Sequence, residues 1–372
     1  MLFKDIIGNK ELKESLIREV NSDRIAHAKL FLGKPGFGGL LMALGFVQYL
    51  MCENRGQTDS CGVCASCRKT QDLHHPDVHF SFPTVQANAK TSDEQFDVWR
   101  EMVLENPYAG LNEWVSASDP KGRKPIISTH QSKEILKKLS LKSYEGKQKV
   151  SIIWLADEMN PTCANKLLKI IEEPPSETVF ILIADSSEHV LPTILSRTQL
   201  VKIKQPEYQE VLSFLQPKAQ VDEQTLKSIV SRAEGNLSNA LALLSNQGGE
   251  AENRELFIEL MRVCYKKQVL PMMGWAEKMA KKGKGNQKGF VKYALFMVRQ
   301  SLMKNYTGDQ LSNASPEELG FLDKFARFIT ANNVLDFTEL FDKAHYGIDR
   351  NANAKILFTT VTFEVMRYIH KA

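Results

Sequence analysis

A glycine-rich segment at residues 33–40, Gly-Lys-Pro-Gly-Phe-Gly-Gly-Leu, has the frame of a nucleotide-binding P-loop, with candidate phosphate-binding positions at Gly33, Gly36, Gly38 and Gly39. In the pattern G-x-x-x-x-G-K-[ST], backbone N–H groups hold phosphate, the lysine contacts the β- and γ-phosphates, and the hydroxyl binds Mg²⁺. Here Gly39 stands in the lysine position and Leu40 replaces the hydroxyl. We therefore expect negligible ATP hydrolysis. The sequence leaves open whether ATP still binds, and a simple strand-to-helix turn is the alternative interpretation.

The most specific local pattern consists of four cysteines, Cys52-x8-Cys61-x2-Cys64-x2-Cys67. Four thiolates at such short spacings predict a tetrahedral Zn²⁺ site. A shell of four protein ligands has no open position for a substrate, so the expected role of the zinc is structural. The alternative is a loop that carries four reduced cysteines. Three histidines between residues 74 and 79 follow closely, and we interpret them as non-ligands because the cysteines already complete the shell.

Asp157 and Glu158 follow an apolar run and form an acidic pair of the kind that positions Mg²⁺ and water in nucleotide hydrolysis. The alternative is a solvated turn that leads into a helix. These two residues alone do not decide between the two interpretations.

The overall composition predicts a cytoplasmic protein of two or three domains. The chain has 372 residues and a formal net charge of +4, far from the strongly basic character that would indicate nucleic-acid binding by itself. Residues 1–8 lack the apolar segment of a secretory signal. Residues 35–52 are apolar but suit a buried helix better than a membrane span, so no membrane partner is expected.

Three apolar runs, at residues 28–32, 150–155 and 179–184, predict strands that are covered on both faces. The first run leads into the glycine loop and then into an apolar helix. Between the second and third runs, Asn160 can cap a helix that has Pro161 at its first position and ends before Pro174. Strands that alternate with helices predict an open, parallel α/β sheet.

Beyond Pro206 the strand patterns stop and helical patterns follow. We expect an α/β domain at residues 1–206, a small helical domain at 207–247 and an all-helical domain at 250–372. Gly248-Gly249 is the predicted linker, and residues 281–288 are a predicted polar loop. Residues 80–133 sustain neither period, so we interpret them as an insertion with some helix and assign them no function.

Several motifs occur here in the order in which they occur in one known family: Ile25-Ala26-His27-Ala28, the four-cysteine module followed by His75-Pro76-Asp77, Asn165-x-Leu167-Leu168-Lys169-x3-Glu173-Pro174-Pro175, and Leu195-Ser196-Arg197. On these motifs the chain resembles bacterial replication clamp-loader subunits of the AAA+ class. The resemblance covers residues 3–244 except the insertion, and it is weaker in the C-terminal helices. It implies an α/β AAA+ domain, a helical lid domain and a helical collar for oligomerisation.

Within this family the chain resembles the non-hydrolysing delta-prime type more than the ATP-hydrolysing gamma/tau type. The loop lacks the Lys-Ser/Thr pair that gamma/tau subunits carry. The gamma/tau acidic pair aligns with Trp154 and Leu155, so Asp157-Glu158 is out of register and we keep the solvated-turn interpretation. The lid arginine of gamma/tau aligns with Ser238.

Arg197 follows Ser196 as in the Ser-Arg-Cys motif of the family, with Thr198 in place of the cysteine. The resemblance implies that Arg197 is an arginine finger, which reaches into the ATP site of a neighbouring subunit and acts there in trans. The alternative is an arginine that only packs or pairs at the end of a helix. The partners implied by the resemblance are gamma/tau and delta subunits and, through the complex, the sliding clamp and primed DNA.

Two other functions stay open at this stage. One is an active gamma/tau-like ATPase with a divergent P-loop. The other is a zinc-containing DNA-binding protein, although Arg68 and Lys69 are few basic residues for a surface that binds phosphates.

Overall fold

The computed structural model describes residues 1–145, 148–245, 247–308 and 313–371. The chain divides into two compact units. The first consists of Met1–Phe214 and Gly235–Asn239, and the second of Leu215–Glu234 and Ala240–Ala372.

A parallel sheet forms the centre of the first unit. Within the described residues its strands are β1 (Ala28–Leu32), β2 (Val78–Ser81), β3 (Lys149–Trp154), β4 (Thr178–Ala184) and β5 (Gln199–Lys202). Their order in the sheet is β2-β3-β4-β1-β5, and every pairing is parallel. The open α/β sheet and its three central strands are therefore confirmed, and two edge strands are added.

Helices cover both faces of this sheet. They are α1 (Lys10–Asn21), α2 (Gly39–Met51), α3 (Ala65–Gln71), α4 (Phe96–Glu105), α5 (Leu111–Ser118), α6 (Thr129–Ser140), α7 (Pro161–Glu172), α8 (Pro192–Leu195) and α9 (Tyr208–Leu215). Successive residues of a strand point to opposite faces. Accordingly, Phe31 of β1 packs on Phe46 of α2, whereas Leu30 belongs to a buried cluster with Ile135 of α6 and Leu167 of α7.

The helix between β3 and β4 begins and ends where the sequence predicts. The Asn160 side chain accepts a hydrogen bond of 2.7 Å from the Cys163 N–H, and Pro161 occupies the first helical position. The helix ends at Glu172, two residues before Pro174. This capping starts and stops α7 at the edge of the sheet where β3 ends.

The insertion at residues 80–133 is a packed part of the first unit and contains the end of β2, the helices α4 and α5, and the start of α6. Trp99 stacks on Phe82 with ring centroids 4.9 Å apart and lies 6.0 Å from Trp154 of β3. The indole N–H of Trp114 donates to the Pro83 carbonyl at 2.7 Å. The predicted helix content is confirmed, and these aromatic side chains fix the insertion to the sheet.

The second unit is helical throughout its described residues. Its helices are α10 (Glu223–Ala233), α11 (Leu237–Ser245, which starts in the first unit), α12 (Gln247–Tyr265), α13 (Val269–Ala280), α14 (Lys284–Thr307), α15 (Pro316–Phe325), α16 (Val334–Asp349) and α17 (Ala354–Ile369). Phe257, Trp275, Phe290 and Phe358 lie in the core of the second unit.

Short 3₁₀ segments occur in both units, at Phe3–Asp5, Ser92–Gln95, Ala156–Glu158, Gln216–Lys218 and Ala326–Phe328.

Two predictions for this unit are wrong. Helix α12 runs through Gly248 and Gly249, so these glycines do not form a linker. The polar loop at 281–288 is shorter than expected because α14 already begins at Lys284. In the first turn of this helix the Gln287 side chain donates to the carbonyls of Met279 and Lys282.

The division into three domains stays a prediction, and Asn246 lies outside the described residues. None of the described helices is both long and apolar enough to cross a bilayer.

Candidate functional site

The glycine loop connects the end of β1 to the start of α2. Gly36 and Gly38 adopt φ angles of +77° and +87°, a region that side chains disfavour. A Cβ atom on Gly33 would lie 2.7 Å from the Cβ of Ile203, so the two segments approach too closely for a side chain. At Gly39, by contrast, a Cβ would make an ordinary contact of 3.5 Å with Ile183. Glycine is therefore required at three of the four candidate positions, whereas the fourth, Gly39, has room for a Cβ atom.

The space in front of this loop is almost filled. The remaining cavity has a volume of about 20 Å³, room for about one water molecule. Besides the loop, it is lined by Pro107, Tyr108, Ala109, Gly110, Trp154, Ile183 and Asp185. Four of these seven residues come from the insertion.

Tyr108 is the largest insertion side chain at the loop and is only 4% exposed. Its Cε1 atom lies 3.1 Å from the position that a Cβ on Gly38 would occupy. The hydroxyl is buried and has no hydrogen bond of ordinary geometry among the described residues. Burial raises the pKa of Tyr108 to about 12, and the backbone of Ile7 partly opposes this rise.

Ser238, which aligns with the gamma/tau lid arginine, is buried next to the insertion. Its hydroxyl donates to Glu113 Oε1 at 2.8 Å and accepts from Asn106 Nδ2 at 3.1 Å. Glu113 Oε2 accepts from the Gly110 N–H at 2.9 Å. Together these bonds connect the start of α11 to both ends of the segment that covers the glycine loop.

The positions of the gamma/tau acidic pair hold buried apolar side chains. Trp154 is 3% exposed and Leu155 is 2% exposed. Leu155 adopts a φ of +55°, an unusual conformation for a leucine that turns the chain at the end of β3. Neither side chain can hold a metal ion or activate water.

Asp157 and Glu158 form a turn, as predicted, and both residues are half-buried. Asp157 Oδ2 accepts hydrogen bonds of 3.2 Å from the N–H groups of Asp185 and Ser186. Burial raises the pKa of Asp185 to about 7, and the charges of Asp157, Glu113 and Glu158 add to this rise. The carboxyl groups near the loop thus create an environment that disfavours further negative charge.

The four cysteines of the predicted zinc site come together in space. All four Sγ atoms lie within 4.8 Å of one another. The Sγ atom of Cys61 lies 3.6 Å from that of Cys52 and 3.9 Å from that of Cys67. A tetrahedral Zn²⁺ with Zn–S bonds of about 2.3 Å places its sulfurs about 3.8 Å apart. The donor set and its spacing therefore fit zinc.

Local structure explains why these thiols converge. Cys52 directly follows α2, and Cys64 is the N-cap of α3, with its sulfur accepting from the Cys67 N–H at 3.4 Å. Hydrogen bonds from the backbone of Val63 and Cys64 lower the pKa of Cys61 to about 6, which favours the thiolate that binds metal. Burial raises the pKa of Cys52 and Cys67, so these two thiolates need the charge of a bound metal.

Arg197 lies just after α8, and a third of its side chain is exposed. Its Nε donates to Glu172 Oε2 at 2.9 Å, and its Nη1 donates to the Thr193 carbonyl at 3.2 Å. Arg197 thus pairs at the end of a helix, the alternative that the sequence left open, but it does so at the protein surface. It is not brought together with the glycine loop in the cavity described above.

Sequence reasoning missed the part that the insertion plays at the loop. A signal for its helices is present: Phe96, Trp99 and Val103 have helical spacing, and Gly110 precedes Glu113 as in a capping box. No sequence pattern indicates that these helices carry Tyr108 onto a loop some 70 positions earlier.

Comparisons with known proteins place the chain among DNA polymerase III subunits. A family model described as "DNA polymerase III, delta subunit" matches residues 8–207. DNA polymerase III subunit delta' of Bacillus subtilis is 29% identical over 259 residues, which is 68% of this chain and 64% of the relative. Subunit tau of the same organism is 26% identical over 248 residues, 65% of this chain and 37% of that relative. The chain thus spans less than two thirds of the length of both relatives.

Among solved structures, a DNA polymerase III gamma subunit-related protein from Thermotoga maritima is similar, with a TM-score of 0.43 and 14% identity. The match covers 96% of this chain and all of that chain.

Proposed function

The chain belongs to the family of DNA polymerase III delta subunits, and on that basis we propose that it works as a non-hydrolysing, delta-prime type subunit of the replication clamp loader. The observation that carries this proposal is the glycine loop. It has the backbone of a phosphate-binding loop but lacks the lysine and hydroxyl, and little space remains in front of it. Such a subunit contributes to loading through its shape and its contacts with other subunits.

Arg197 is the group that we propose to act on another subunit. Its partner Glu172 has a side chain that is 56% exposed, and exposed ion pairs typically contribute only about 0 to 1 kcal/mol. The guanidinium can therefore exchange Glu172 for a phosphate at low cost, because Arg binds phosphate oxygens through two parallel N–H donors. Placed at the ATP of a gamma/tau neighbour, it would stabilise transition-state charge.

The remaining parts of the proposal concern assembly. We propose a structural Zn²⁺ held by Cys52, Cys61, Cys64 and Cys67, a helical lid at residues 207–247 and a collar at residues 250–372. The collar would join the chain to delta and gamma/tau subunits. The sliding clamp and primed DNA would be reached through the assembled complex.

The test is reconstitution with the delta and gamma/tau subunits of the same organism. We expect the chain to co-purify with them and to increase their ATPase activity in the presence of clamp and primed DNA. The chain alone should hydrolyse no ATP under any of these conditions. Hydrolysis proportional to the concentration of this chain alone would identify an active ATPase instead, and failure to associate would contradict a role in the loader.

A further inference from the structure

Residues 106–113 of the insertion, which we call the cover segment, lie directly on the glycine loop. We propose that the cover segment fills the place that a nucleotide would occupy, so that it excludes nucleotide independently of the missing lysine. This inference rests on the proposed function in one respect, since it takes the loop to be the frame of a nucleotide site. It assigns to the insertion the task of closing that site.

Side chains of the cover segment pack directly against the glycine loop. The Tyr108 ring lies against Gly38, and a Cβ on Gly110 would lie 3.7 Å from the Cβ of Pro35. A second contact comes from the start of α11, where the Leu237 N–H donates to the Gly36 carbonyl at 3.0 Å. Residues of the same chain thus contact the loop at Pro35, Gly36 and Gly38, and the cover segment takes up space beside the loop that a nucleotide would need.

Hydrogen bonds and the burial of Tyr108 hold the cover segment in place. Glu113 bonds both the Gly110 N–H and the Ser238 hydroxyl, and Asn106 bonds the same hydroxyl. Moving the segment would break these bonds and expose the Tyr108 ring, which is now 4% exposed. The hydrogen bonds and the burial of the aromatic ring both favour the segment where it lies. The closed arrangement is therefore the stable one.

Carboxyl groups also surround the small cavity. Asp185 lines it, and burial together with the charges of Asp157, Glu113 and Glu158 disfavours ionisation of Asp185. A triphosphate placed there would meet these carboxyl groups, and Lys34 would be the cation among the lining residues, since Gly39 stands in the position of the usual lysine. Shape and charge therefore act in the same direction.

Restoring the missing side chains separates this proposal from the simpler explanation that the loop only lacks its lysine. We would measure binding of Mg²⁺-ATP by calorimetry to four proteins: the wild type, Gly39→Lys with Leu40→Thr, Tyr108→Ala, and the combination of all three substitutions. A Cβ atom at Gly39 would make only an ordinary contact of 3.5 Å with Ile183, so the backbone permits a substitution at this position. Circular dichroism and zinc content would confirm that each variant is folded.

We expect the wild type, the double variant and Tyr108→Ala to show no binding at millimolar ATP, and the triple variant to bind at least about tenfold more tightly than the double variant. If the double variant binds ATP as tightly as the triple variant, the cover segment does not exclude nucleotide and the proposal is wrong. Absence of binding by a folded triple variant would equally contradict it.

A cross-link provides an independent measurement. The Cβ separation of 3.7 Å between Pro35 and Gly110 suits a disulfide, which needs about 3.5 to 4.5 Å. In the zinc-loaded triple variant, Pro35→Cys with Gly110→Cys should form a disulfide with oxidised glutathione, detectable by mass spectrometry of tryptic peptides. The disulfide should abolish ATP binding, and a reductant should restore it.

Failure of a folded protein to form this bond would show that the cover segment does not lie on the loop. These outcomes are distinct from those of the proposed function. Association with delta and gamma/tau, and the effect of Arg197 on their ATPase activity, do not depend on what closes the loop of this chain.

Discussion

Ser238 donates a hydrogen bond of 2.8 Å to Glu113, a residue 125 positions earlier in the chain. The bond joins the start of α11 to the insertion. Ser238, which the resemblance predicts to align with the gamma/tau lid arginine, therefore belongs to the packing beside the glycine loop.

Replacing Ser238 with alanine should destabilise the first unit by about 1 kcal/mol. The substitution leaves the half-buried Glu113 carboxylate and the Asn106 amide without their shared partner. Urea unfolding would measure the loss. Ser140→Ala is the matched control, because Ser140 is exposed, lies in the first unit and donates to the Lys137 carbonyl of its own helix. Equal losses in the two variants would show that the Ser238 network contributes nothing specific.

Replacing Arg197 with alanine should leave the complex assembled but should slow ATP hydrolysis at the neighbouring gamma/tau site by roughly 10³-fold. Arg197→Lys should recover only part of this rate, because lysine keeps the charge but loses the two parallel donors. Steady-state ATPase activity of the reconstituted complex with clamp and primed DNA is the measurement. Arg18, exposed on α1, provides the control variant Arg18→Ala. Unchanged turnover in Arg197→Ala would rule out the finger.

Purified protein should contain one zinc ion per chain, and Cys64→Ser should lose it. Serine preserves the N-cap of α3, so the loss can be attributed to the thiolate. We expect the melting temperature to fall by about 5 to 10 °C. Cys163→Ala, which removes a buried thiol outside the cluster, should retain the metal. A well-folded wild type without zinc would contradict the prediction.

Because the pKa of Asp185 is raised to about 7, we expect the stability of the folded protein to depend on pH. Between pH 4 and pH 7 the unfolded chain has this carboxyl ionised while the folded protein keeps it protonated, so its contribution to stability falls as pH rises through this window. Asp185→Asn removes the effect and should stabilise the protein by about 1 to 3 kcal/mol at pH 8, with little difference at pH 4.

Urea unfolding of the Asp185→Asn variant and the wild type at several pH values would measure this difference. Glu188→Gln, at a nearby exposed position, is the control. A stability difference that is constant with pH would show that Asp185 titrates normally.

Lys29 is fully buried in β1, where it pairs with Glu19 of α1 and bonds Gln199 of β5. Glu19→Gln leaves a buried charge without its carboxylate and should cost about 3 to 5 kcal/mol. Lys29→Met removes the buried charge and should change stability by less than about 1.5 kcal/mol, or increase it. Chemical unfolding of both variants checks the order. A larger loss for Lys29→Met would mean that the pair itself is strongly stabilising.

The sequence predicts the centre of the sheet well and its edges poorly. Central strands β1, β3 and β4 are covered on both faces, so they show as apolar runs. The edge strands are short, and in β5 only Val201 is buried, which leaves no pattern to detect. The linker at Gly248-Gly249 was wrong because the packing of Leu256 and Phe257 in the core outweighs the roughly 1 kcal/mol that each glycine costs a helix.

The sequence likewise predicts one part of the candidate site and not the other. The four cysteines are close in sequence, so their spacing alone predicts that they converge. The proposed closing of the glycine loop depends on Tyr108, Glu113 and Ser238, which lie far from the loop along the chain, and Ser238 also lies far from the other two. Such contacts arise from the tertiary fold, and no local period or motif contains them.

Helix α2 begins at the glycine loop and ends one residue before Cys52, and every residue from Leu40 to Met51 is buried. Its 13 residues form a rod about 20 Å long. Glycines that require their backbone angles lie at one end, and Cys52, a predicted metal ligand, lies at the other. One inserted residue would rotate everything beyond it by about 100° and would turn either the thiolate or the loop out of place. The length of this helix is therefore constrained as strictly as the identity of any single side chain. Insertions within it should be the least tolerated changes in the first unit.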